Sequence, residues 1–435
     1  MSKAELDVRL PAFDDALEAL PSPGADVASD EPYWAAVRGL YATSQEPANL
    51  ENGYWGVMAQ PVMAVYRHWT ERVNFDNTLL IRDHWPRLLE GLRQRVSQAL
   101  GCAADEIVLT RGATEAMLSL IGGYNRLQPG DTVLHSDLDY PMMRHAMEWL
   151  RERRGVQPVR LTIPEPATHD SVLDTYAQML QRHPRTRLVL LTHLSHCTGL
   201  VMPVREIAAL ARDAGAEVIV DAAHSWGQID FDAADLGAPC IAFNLHKWIG
   251  APLGCGCLYI RRGSVPHIGP WFGNLEFPAD DIRSRIYTGS PNFAAWLTLP
   301  AALQLHERIG ARTKELRLRA LRDHWVREAR MLPNIDVLTP DDATMVAGIT
   351  AFRLRGHTSA ADNDAIVSTL LKQHGVYTVR RTGPAAGDCV RVTPALHTTR
   401  ADLERLLGGL RALTGDKSQY QRPFTHTHSL PDQFQ

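Results

Sequence analysis

The chain has 435 residues, of which 45% are hydrophobic and 22% charged, and its formal net charge at pH 7 is −4. This length fits a large domain with a smaller companion, and the composition is that of a globular protein with a sizeable core. The small negative charge argues against a basic nucleic-acid surface, so we expect no nucleic-acid partner.

The apolar runs, the N-terminal segment and the cysteines bear on the cellular compartment. The longest apolar runs, such as LVLLT at 188–192, fall far short of the roughly 20 residues that span a bilayer. The N-terminal segment is acidic and amphipathic, without the basic start and apolar core of a secretory signal. We therefore predict no membrane association and a cytoplasmic location. Six cysteines in mostly apolar contexts fit that prediction, since reduced cysteines behave as small hydrophobes.

Between about residues 100 and 260, short β-branched runs alternate with helix-length amphipathic segments, a pattern typical of crossover units and a mostly parallel sheet. One intervening helix is clear, with Pro203 at its first position and Gly215 just past its end. The fold class is therefore predicted to be α/β, with seven strands. The seven runs are EIVLT (106–110), TVLHS (132–136), PVRLT (158–162), RLVLLT (187–192), EVIVD (217–221), CIAFN (240–244) and GCGCLYI (254–260).

After about residue 300 the pattern changes to a long helix broken near Gly310, two strand-like runs and a last helix that Thr399 or Asp402 could cap. This predicts a smaller α+β domain. We expect an N-terminal segment (1–50) that packs with the small domain, a large domain (51–305), the small domain (306–415) and a polar tail (416–435). His426 and His428 lie in that tail, where a metal site is less expected than an unstructured end.

The first chemical motif is LTRGATEAMLSLI, with a turn at 111–114 that opens a helix after a strand. Gly112 permits a tight backbone, and the first free amides of the helix with the Thr114 hydroxyl would suit a phosphate. A plain helix cap is the alternative reading.

The second motif is EVIVDAAHSWG, in which Asp221 ends a very apolar strand. A carboxylate there is partly desolvated and needs a cation, such as a protonated pyridine nitrogen. His224, three residues on, could reach a neighbouring ring substituent. The alternative for Asp221 is a capping role.

The third motif is AFNLHKWIGAPLGCGCLYI, in which Lys247 follows a strand and precedes a Gly/Pro-rich turn. Burial disfavours an ammonium, so the neutral amine becomes available for Schiff-base chemistry. Taken alone, the lysine could snorkel to solvent. A phosphate turn, a strand-end carboxylate and a strand-end lysine, in this order, are what pyridoxal 5′-phosphate (PLP) needs.

On these motifs the chain resembles the class V aminotransferase family of fold-type I PLP enzymes, in the branch with isopenicillin N epimerase and the cysteine desulfurase/selenocysteine lyase group. VDAAHS and NLHKWIGAPLGCG carry the resemblance most specifically, and it extends from about residue 52 to 413. It implies that Lys247 holds PLP as a Schiff base and that Asp221 pairs with the pyridine nitrogen. The remaining cofactor contacts it implies are His224 near the ring hydroxyl, phosphate binding by Gly112, Ala113 and Thr114 with His246 beside them, and stacking by Tyr140.

The same resemblance extends to the substrate and to a partner subunit. YTGSPNF is similar to the family segment whose threonine reaches the phosphate of the neighbouring subunit, so Thr288 implies a homodimer with shared active sites. Arg391, and with it Arg381, matches the region that binds the substrate carboxylate. Tyr54 or Trp55, in ENGYWGVM, would line the substrate site.

The resemblance implies chemistry at the α-carbon of an amino-acid-like substrate, begun when Lys247 takes the α-proton. Transamination or deamination is slightly favoured, with epimerisation and C–S β-elimination as alternatives. Persulfide chemistry is not expected, because RTGPAAGD lacks the cysteine that type II desulfurases carry after this turn, and the next cysteine, Cys389, belongs to a strand. A non-catalytic PLP-fold module would have lost Lys247 or Asp221. A nucleotide-dependent oxidoreductase would need a G-x-G-x-x-G turn after its first strand.

Overall fold

The computed structural model describes residues 10–415 and contains 13 strands within that range. In chain order they are β1 (Ala48–Asn49), β2 (Ile107–Thr110), β3 (Thr132–Ser136), β4 (Gln157–Leu161), β5 (Thr186–Thr192), β6 (Glu217–Ala222), β7 (Cys240–Asn244), β8 (Gly256–Ile260), β9 (Ile335–Val337), β10 (Thr350–Leu354), β11 (Val376–Tyr377), β12 (Val379–Arg381) and β13 (Cys389–Val392).

The same range contains 13 α-helices. They are α1 (Pro11–Glu18), α2 (Glu31–Arg38), α3 (Gln60–Leu79), α4 (Trp85–Ala99), α5 (Ala113–Gly123), α6 (Pro141–Arg154), α7 (His169–Arg182), α8 (Val204–Asp213), α9 (Phe293–Leu297), α10 (Leu299–Ile309), α11 (Ala311–Met331), α12 (Ala360–His374) and α13 (Arg400–Thr414). A π-helical turn at Leu80–His84 joins α3 to α4.

A seven-stranded sheet forms the centre of the larger part, in the order β2-β8-β7-β6-β5-β3-β4. Its strands run parallel except β8, which is antiparallel to both β2 and β7. Side chains of β5 alternate between two apolar clusters, so Leu188 and Leu190 face the helices α5 and α6 while Val189 and Leu191 face α7 and α8. Both faces are covered, as a parallel sheet requires. The predicted α/β class with seven mostly parallel strands is confirmed.

Helix α8 shows how closely its ends can be read from sequence. Its buried stripe is the expected one, at Val204, Ile207, Ala208 and Ala211. Gly215 follows the helix with a φ of +77°, which suits glycine just past a helix end. The helix begins one residue later than predicted, at Val204, so Pro203 is the residue before the first helical turn.

The C-terminal part is a four-stranded antiparallel sheet in the order β12-β13-β10-β9. Trp325 of α11 and Phe352 of β10 are fully buried in its core. The predicted break at Gly310 separates α10 from α11, with a φ of +93°. Thr399 and Asp402 cap the last helix reciprocally, because each side chain accepts the other's backbone N–H. These features follow the predicted α+β pattern.

The N-terminal segment contacts both parts. Strand β1 pairs in parallel with β11, and the buried Arg317 donates to the Ala28 carbonyl and to Glu31. Arg308 of α10 donates to the Leu17 carbonyl at 3.0 Å. The boundaries at residues 50, 305 and 415 stay predictions.

Two sequence expectations concern features away from the sheet. Within residues 10–415, no helix is long and apolar enough to cross a bilayer. In the same range, no group of three or more histidine, cysteine or acidic side chains is arranged to hold a metal ion. His426 and His428 lie outside the described residues.

Candidate active site

The phosphate-turn candidate joins β2 to α5 at the carboxyl edge of the large sheet. Gly112 is packed tightly, because a Cβ there would lie 3.0 Å from the Asn244 side-chain oxygen and 3.1 Å from the His246 ring. The Ala113 amide donates to Asn244 Oδ1 at 2.7 Å, so it is already satisfied within the protein. Among residues 10–415, no hydrogen bond uses the Thr114 amide or hydroxyl. Thr114 therefore offers the free donors at this helix start.

Asp221 lies near the end of β6 and is 6% exposed. Its Oδ1 accepts a hydrogen bond from the Ala223 amide at 2.9 Å. Burial raises the pKa of its carboxyl group, although the Ala223 amide and the charge of Lys247 oppose that rise. A buried carboxylate in this position favours a cationic partner.

Lys247 follows β7, and its Nζ lies 2.8 Å from His224 Nε2. Burial lowers the pKa of the Lys247 amine from 10.5 to about 7, with Asp221 opposing and Arg391 and Arg381 assisting that change. The pKa of His224 is held well below its usual value, first by burial and then by neighbouring positive charges. A neutral amine beside a neutral imidazole is thus accessible near pH 7.

The segment 51–56 contacts Arg381 and Arg391 at one end and the backbone of Lys247 at the other. Glu51 Oε1 accepts from Arg391 Nη2 at 2.5 Å and from Arg381 Nη2 at 3.3 Å. Two glycines make this close approach possible. A Cβ at Gly53 would lie 2.6 Å from Arg391 Nη2, and a Cβ at Gly56 would lie 1.8 Å from the Lys247 carbonyl oxygen.

Arg391 is 1% exposed, on β13, and it also donates to the His196 carbonyl at 2.7 Å. The His196 ring meets the ring of Tyr140 edge-on, with centroids 5.2 Å apart. Tyr140 precedes α6 and remains 42% exposed. Through these contacts, the side of the site that Arg391 forms on the C-terminal sheet is continuous with the side formed by His196 and Tyr140 next to the large sheet.

A cavity of about 550 Å³ gathers most of the candidate residues. Trp55 is not in its lining, and its ring packs edge-on against Tyr54 while staying 49% exposed. Thr288 does not line it either. The lining includes, of the predicted residues, Tyr54, Gly112, Ala113, Thr114, Tyr140, Asp221, His224, His246, Lys247, Arg381 and Arg391.

Four residues at the site were not predicted from the sequence. His196, Asn244 and Trp271 line the cavity, and Glu51, which is not in the lining, accepts hydrogen bonds from Arg391 and Arg381. Asn244 had a signal, since it ends a buried strand as Asp221 does. Nothing local marks Glu51, whose partner lies 340 residues away.

The cysteines nearest the site are not arranged as nucleophiles. Cys197 is fully buried, and burial raises the pKa of its thiol to about 12. Cys389 starts β13, which confirms its predicted place in a strand, and burial raises the pKa of its thiol as well. Neither cysteine lines the cavity. A thiolate that accepts sulfur therefore has no support in this part of the chain.

Comparison with known proteins gives consistent results along most of the chain. Isopenicillin N epimerase from Streptomyces clavuligerus is 26% identical over 399 residues, covering 88% of this chain and 99% of that protein. A cysteine desulfurase from Pectobacterium atrosepticum is 28% identical over 348 residues, covering 75% of this chain and 82% of that protein.

Solved structures show the same fold. The cysteine desulfurase CsdA from Escherichia coli superposes with a TM-score of 0.73 at 22% identity, over 87% of this chain and 98% of that one. The cystine C–S lyase C-DES, in complex with cysteine persulfide, gives 0.72 at 23% identity, over 84% of this chain and 97% of that one. These likenesses confirm the predicted fold type.

The family profile "Aminotransferase class-V" matches residues 60–406, well over half of the chain. The predicted family and cofactor are thereby confirmed. The protein belongs to the class V aminotransferase family of PLP-dependent enzymes.

Proposed function

We propose that this enzyme removes the α-proton of an amino-acid substrate with Lys247 as the base, and that the reaction ends in a keto acid by transamination or deamination. One observation carries the proposal. The Lys247 amine, with its pKa lowered to about 7, lies in the same cavity as a buried carboxylate and a buried arginine. A base with a pKa near the working pH is the most effective one.

The residues present fit PLP. Asp221 is a buried carboxylate. Within residues 10–415, its side chain accepts a hydrogen bond from one backbone amide, that of Ala223, so a protonated ring nitrogen would balance its charge. The free Thr114 donors suit the phosphate, with His246 beside them, and Tyr140 would stack on the ring. Lys247 is the attachment point. When bound, the cofactor supplies an electron sink for the bond that breaks at the α-carbon.

Substrate orientation falls to the arginines. An amino acid must present its carboxylate in a fixed direction, so that the α-hydrogen faces Lys247. Arg391 offers a planar fork for that carboxylate, and its burial strengthens the ion pair. Arg381, on the neighbouring strand β12, donates to the same Glu51 oxygen as Arg391 and adds a second positive charge.

A single base favours the keto-acid outcome over epimerisation. Lys247 is the one lysine in the cavity lining that the described residues form. One amine would suffice for transamination, because it can remove the α-proton and deliver it on the same face to a carbon of the cofactor instead of back to the α-carbon. Epimerisation needs a proton from the opposite face, and the described cavity lining contains no second lysine to supply one.

Epimerisation and C–S β-elimination remain the second candidates. The epimerase relative aligns along 99% of its own length, and one structural neighbour is a cystine C–S lyase. Sulfur transfer to an enzyme cysteine has no support here, since the cysteines near the site are buried and protonated.

Product analysis tests the proposal. Purified enzyme would be incubated with L-amino acids, D-amino acids and S-substituted cysteines, with and without a keto-acid acceptor. We expect keto acid as the main product and exchange of the α-hydrogen with solvent deuterium. Inverted amino acid without keto acid would establish the epimerase instead. Pyruvate formed from S-substituted cysteines alone would establish the lyase. A Lys247→Ala variant should lose α-hydrogen exchange in every case.

The proposal extends to a cytoplasmic homodimer with shared active sites. Asn274 donates to the Ile286 carbonyl at 3.4 Å, so the segment with the exposed Phe272 (93%) and Leu275 (94%) lies near Tyr287, which is 54% exposed and precedes Thr288. Such residues favour burial against a second subunit. Thr288 lies outside the cavity of its own chain, which is consistent with service to a partner's site. All six cysteines are unpaired and five of them are buried, which supports the proposed compartment.

A further inference from the structure

His224 lies between two nitrogen groups that meet opposite sides of its ring. Lys247 Nζ lies 2.8 Å from Nε2, and the indole Nε1 of Trp248 lies 3.4 Å from Nδ1. Trp248 directly follows Lys247 in the chain and is only 9% exposed. The imidazole is 5% exposed, so both of its hydrogen bonds are made inside the protein.

The indole decides where the proton of His224 sits. An indole N–H can only donate, so Nδ1 of His224 accepts and carries no proton. The pKa of His224 is held well below its usual value by burial and by Lys247, Arg391, His196 and Arg381. The ring is therefore neutral and bears its proton on Nε2, directed at Lys247.

We propose that Trp248 is a positioning residue that fixes the Nε2–H tautomer of His224, which makes His224 a hydrogen-bond donor toward the nitrogen of Lys247. The opposite arrangement fails on geometry. A lysine ammonium donating to Nε2 would leave the proton on Nδ1, facing the indole N–H, and two donors would then meet without an acceptor. The inference deepens the proposed function, because it rests on Lys247 as the working amine.

The surroundings hold this triad in place. Gly227, with a φ of +92°, lets Trp248 approach, because a Cβ there would lie 2.7 Å from the Trp248 carbonyl carbon. The buried Lys314 donates to the Trp248 carbonyl at 2.7 Å. Gln228 Nε2 donates to the His224 carbonyl at 2.9 Å. Both residues are thus fixed through their backbones, independently of the indole–imidazole bond.

The direction of the donation has a consequence for the base. A lysine nitrogen that accepts from Nε2–H must present its lone pair, which only the neutral amine has. Asp221 acts in the opposite sense, since its carboxylate favours the ammonium. His224 and Asp221 therefore have opposing effects on the protonation of Lys247.

Nitrogen-15 NMR of the cofactor-free protein, labelled in histidine, measures the tautomer directly. His224→Gln identifies the His224 resonances by their loss. We expect wild-type His224 to be neutral at pH 7.5, with a protonated Nε2 and an unprotonated, hydrogen-bonded Nδ1. Trp248→Phe should make imidazolium formation about tenfold easier, because the indole N–H no longer opposes a proton on Nδ1. The Nδ1 resonance should also lose its hydrogen-bond shift.

Trp296→Phe is the matched control. It removes a buried indole whose N–H donates to the Gly254 carbonyl at 2.9 Å, so His224 should titrate as in the wild type. A wild-type His224 with its proton on Nδ1, or an imidazolium at pH 7.5, would overturn the proposal even without any variant. So would an unchanged titration in folded Trp248→Phe. The measurement needs neither cofactor nor turnover, so failure of the proposed reaction would leave its result standing.

Discussion

Replacement of Lys247 by methionine is predicted to flatten the pH dependence of folding stability in the cofactor-free protein. The folded-state pKa of this amine is about 7, against 10.5 for an ordinary lysine. Below pH 7 both states carry the ammonium, and the folded state bears the full cost of burying it. Between pH 7 and 10.5 the folded state has lost a proton that the unfolded chain keeps. The unfolded chain then binds more protons, so stability rises with pH.

The size of the effect follows from the displacement of the pKa. A change of 3.5 units, from 10.5 to about 7, corresponds to roughly 5 kcal/mol as an upper limit. About 2 kcal/mol of that is recovered between pH 7 and pH 9. Lys247→Met has no amine to titrate, so its advantage over the wild type should shrink by this amount across the interval.

Denaturant unfolding at pH 7, 8 and 9 measures the difference. Lys372→Met is the control, because Lys372 is exposed and should leave the pH dependence unchanged. Lys314 is buried, with a pKa also lowered to about 7, and Lys314→Met should flatten the curve in the same way. Parallel stability curves for Lys247→Met and the wild type would refute the reasoning, since the buried amine would then titrate as it does in the unfolded chain.

Three further predictions concern the loaded enzyme. Asp221→Asn should lower turnover by about 10²-fold or more, since the ring nitrogen loses its charged partner, and steady-state kinetics at saturating PLP would show it; near-normal turnover would contradict that role. Arg391→Lys should raise KM and lower kcat for amino acids while amines without a carboxylate respond little, because lysine lacks the planar fork; if Arg381→Lys alone has this effect, the anchor is Arg381. Mixed dimers of inactive Lys247→Ala and impaired Thr288→Ala subunits should regain partial activity, since one of the two shared sites then carries neither defect; no recovery in verified mixed dimers would assign Thr288 to its own subunit.

Local patterns carried most of the fold. Each strand of the large sheet overlaps one of the seven short runs predicted from the sequence, and the helix break at Gly310 follows from one glycine. Asp221 and Lys247 could be singled out because Asp221 lies near the end of a buried strand and Lys247 lies shortly after one, where polar side chains are conspicuous.

Contacts between distant segments could not be read in this way. Glu51 reaches Arg391 across 340 residues, and no periodicity encodes that pairing. The hydrogen bond from the Ala113 amide to Asn244 depends on the order of the strands in the sheet. The direction of the His224 hydrogen bonds depends on which ring nitrogen faces Trp248, which only the three-dimensional arrangement supplies.

Glu51 competes with a substrate carboxylate for Arg391, and it is held in place by the chain. Its side chain accepts from one N–H of Arg391 at 2.5 Å and from one N–H of Arg381 at 3.3 Å, so an incoming carboxylate that uses these N–H groups must displace it. A group held by the chain acts at a high effective concentration, on the order of millimolar or more. Acetate, formate and other small acids in a buffer must displace Glu51 although their carboxylate contact with the arginines is the only contact they make. An amino acid has further attachment points, and it can tolerate this competition where simple acids cannot.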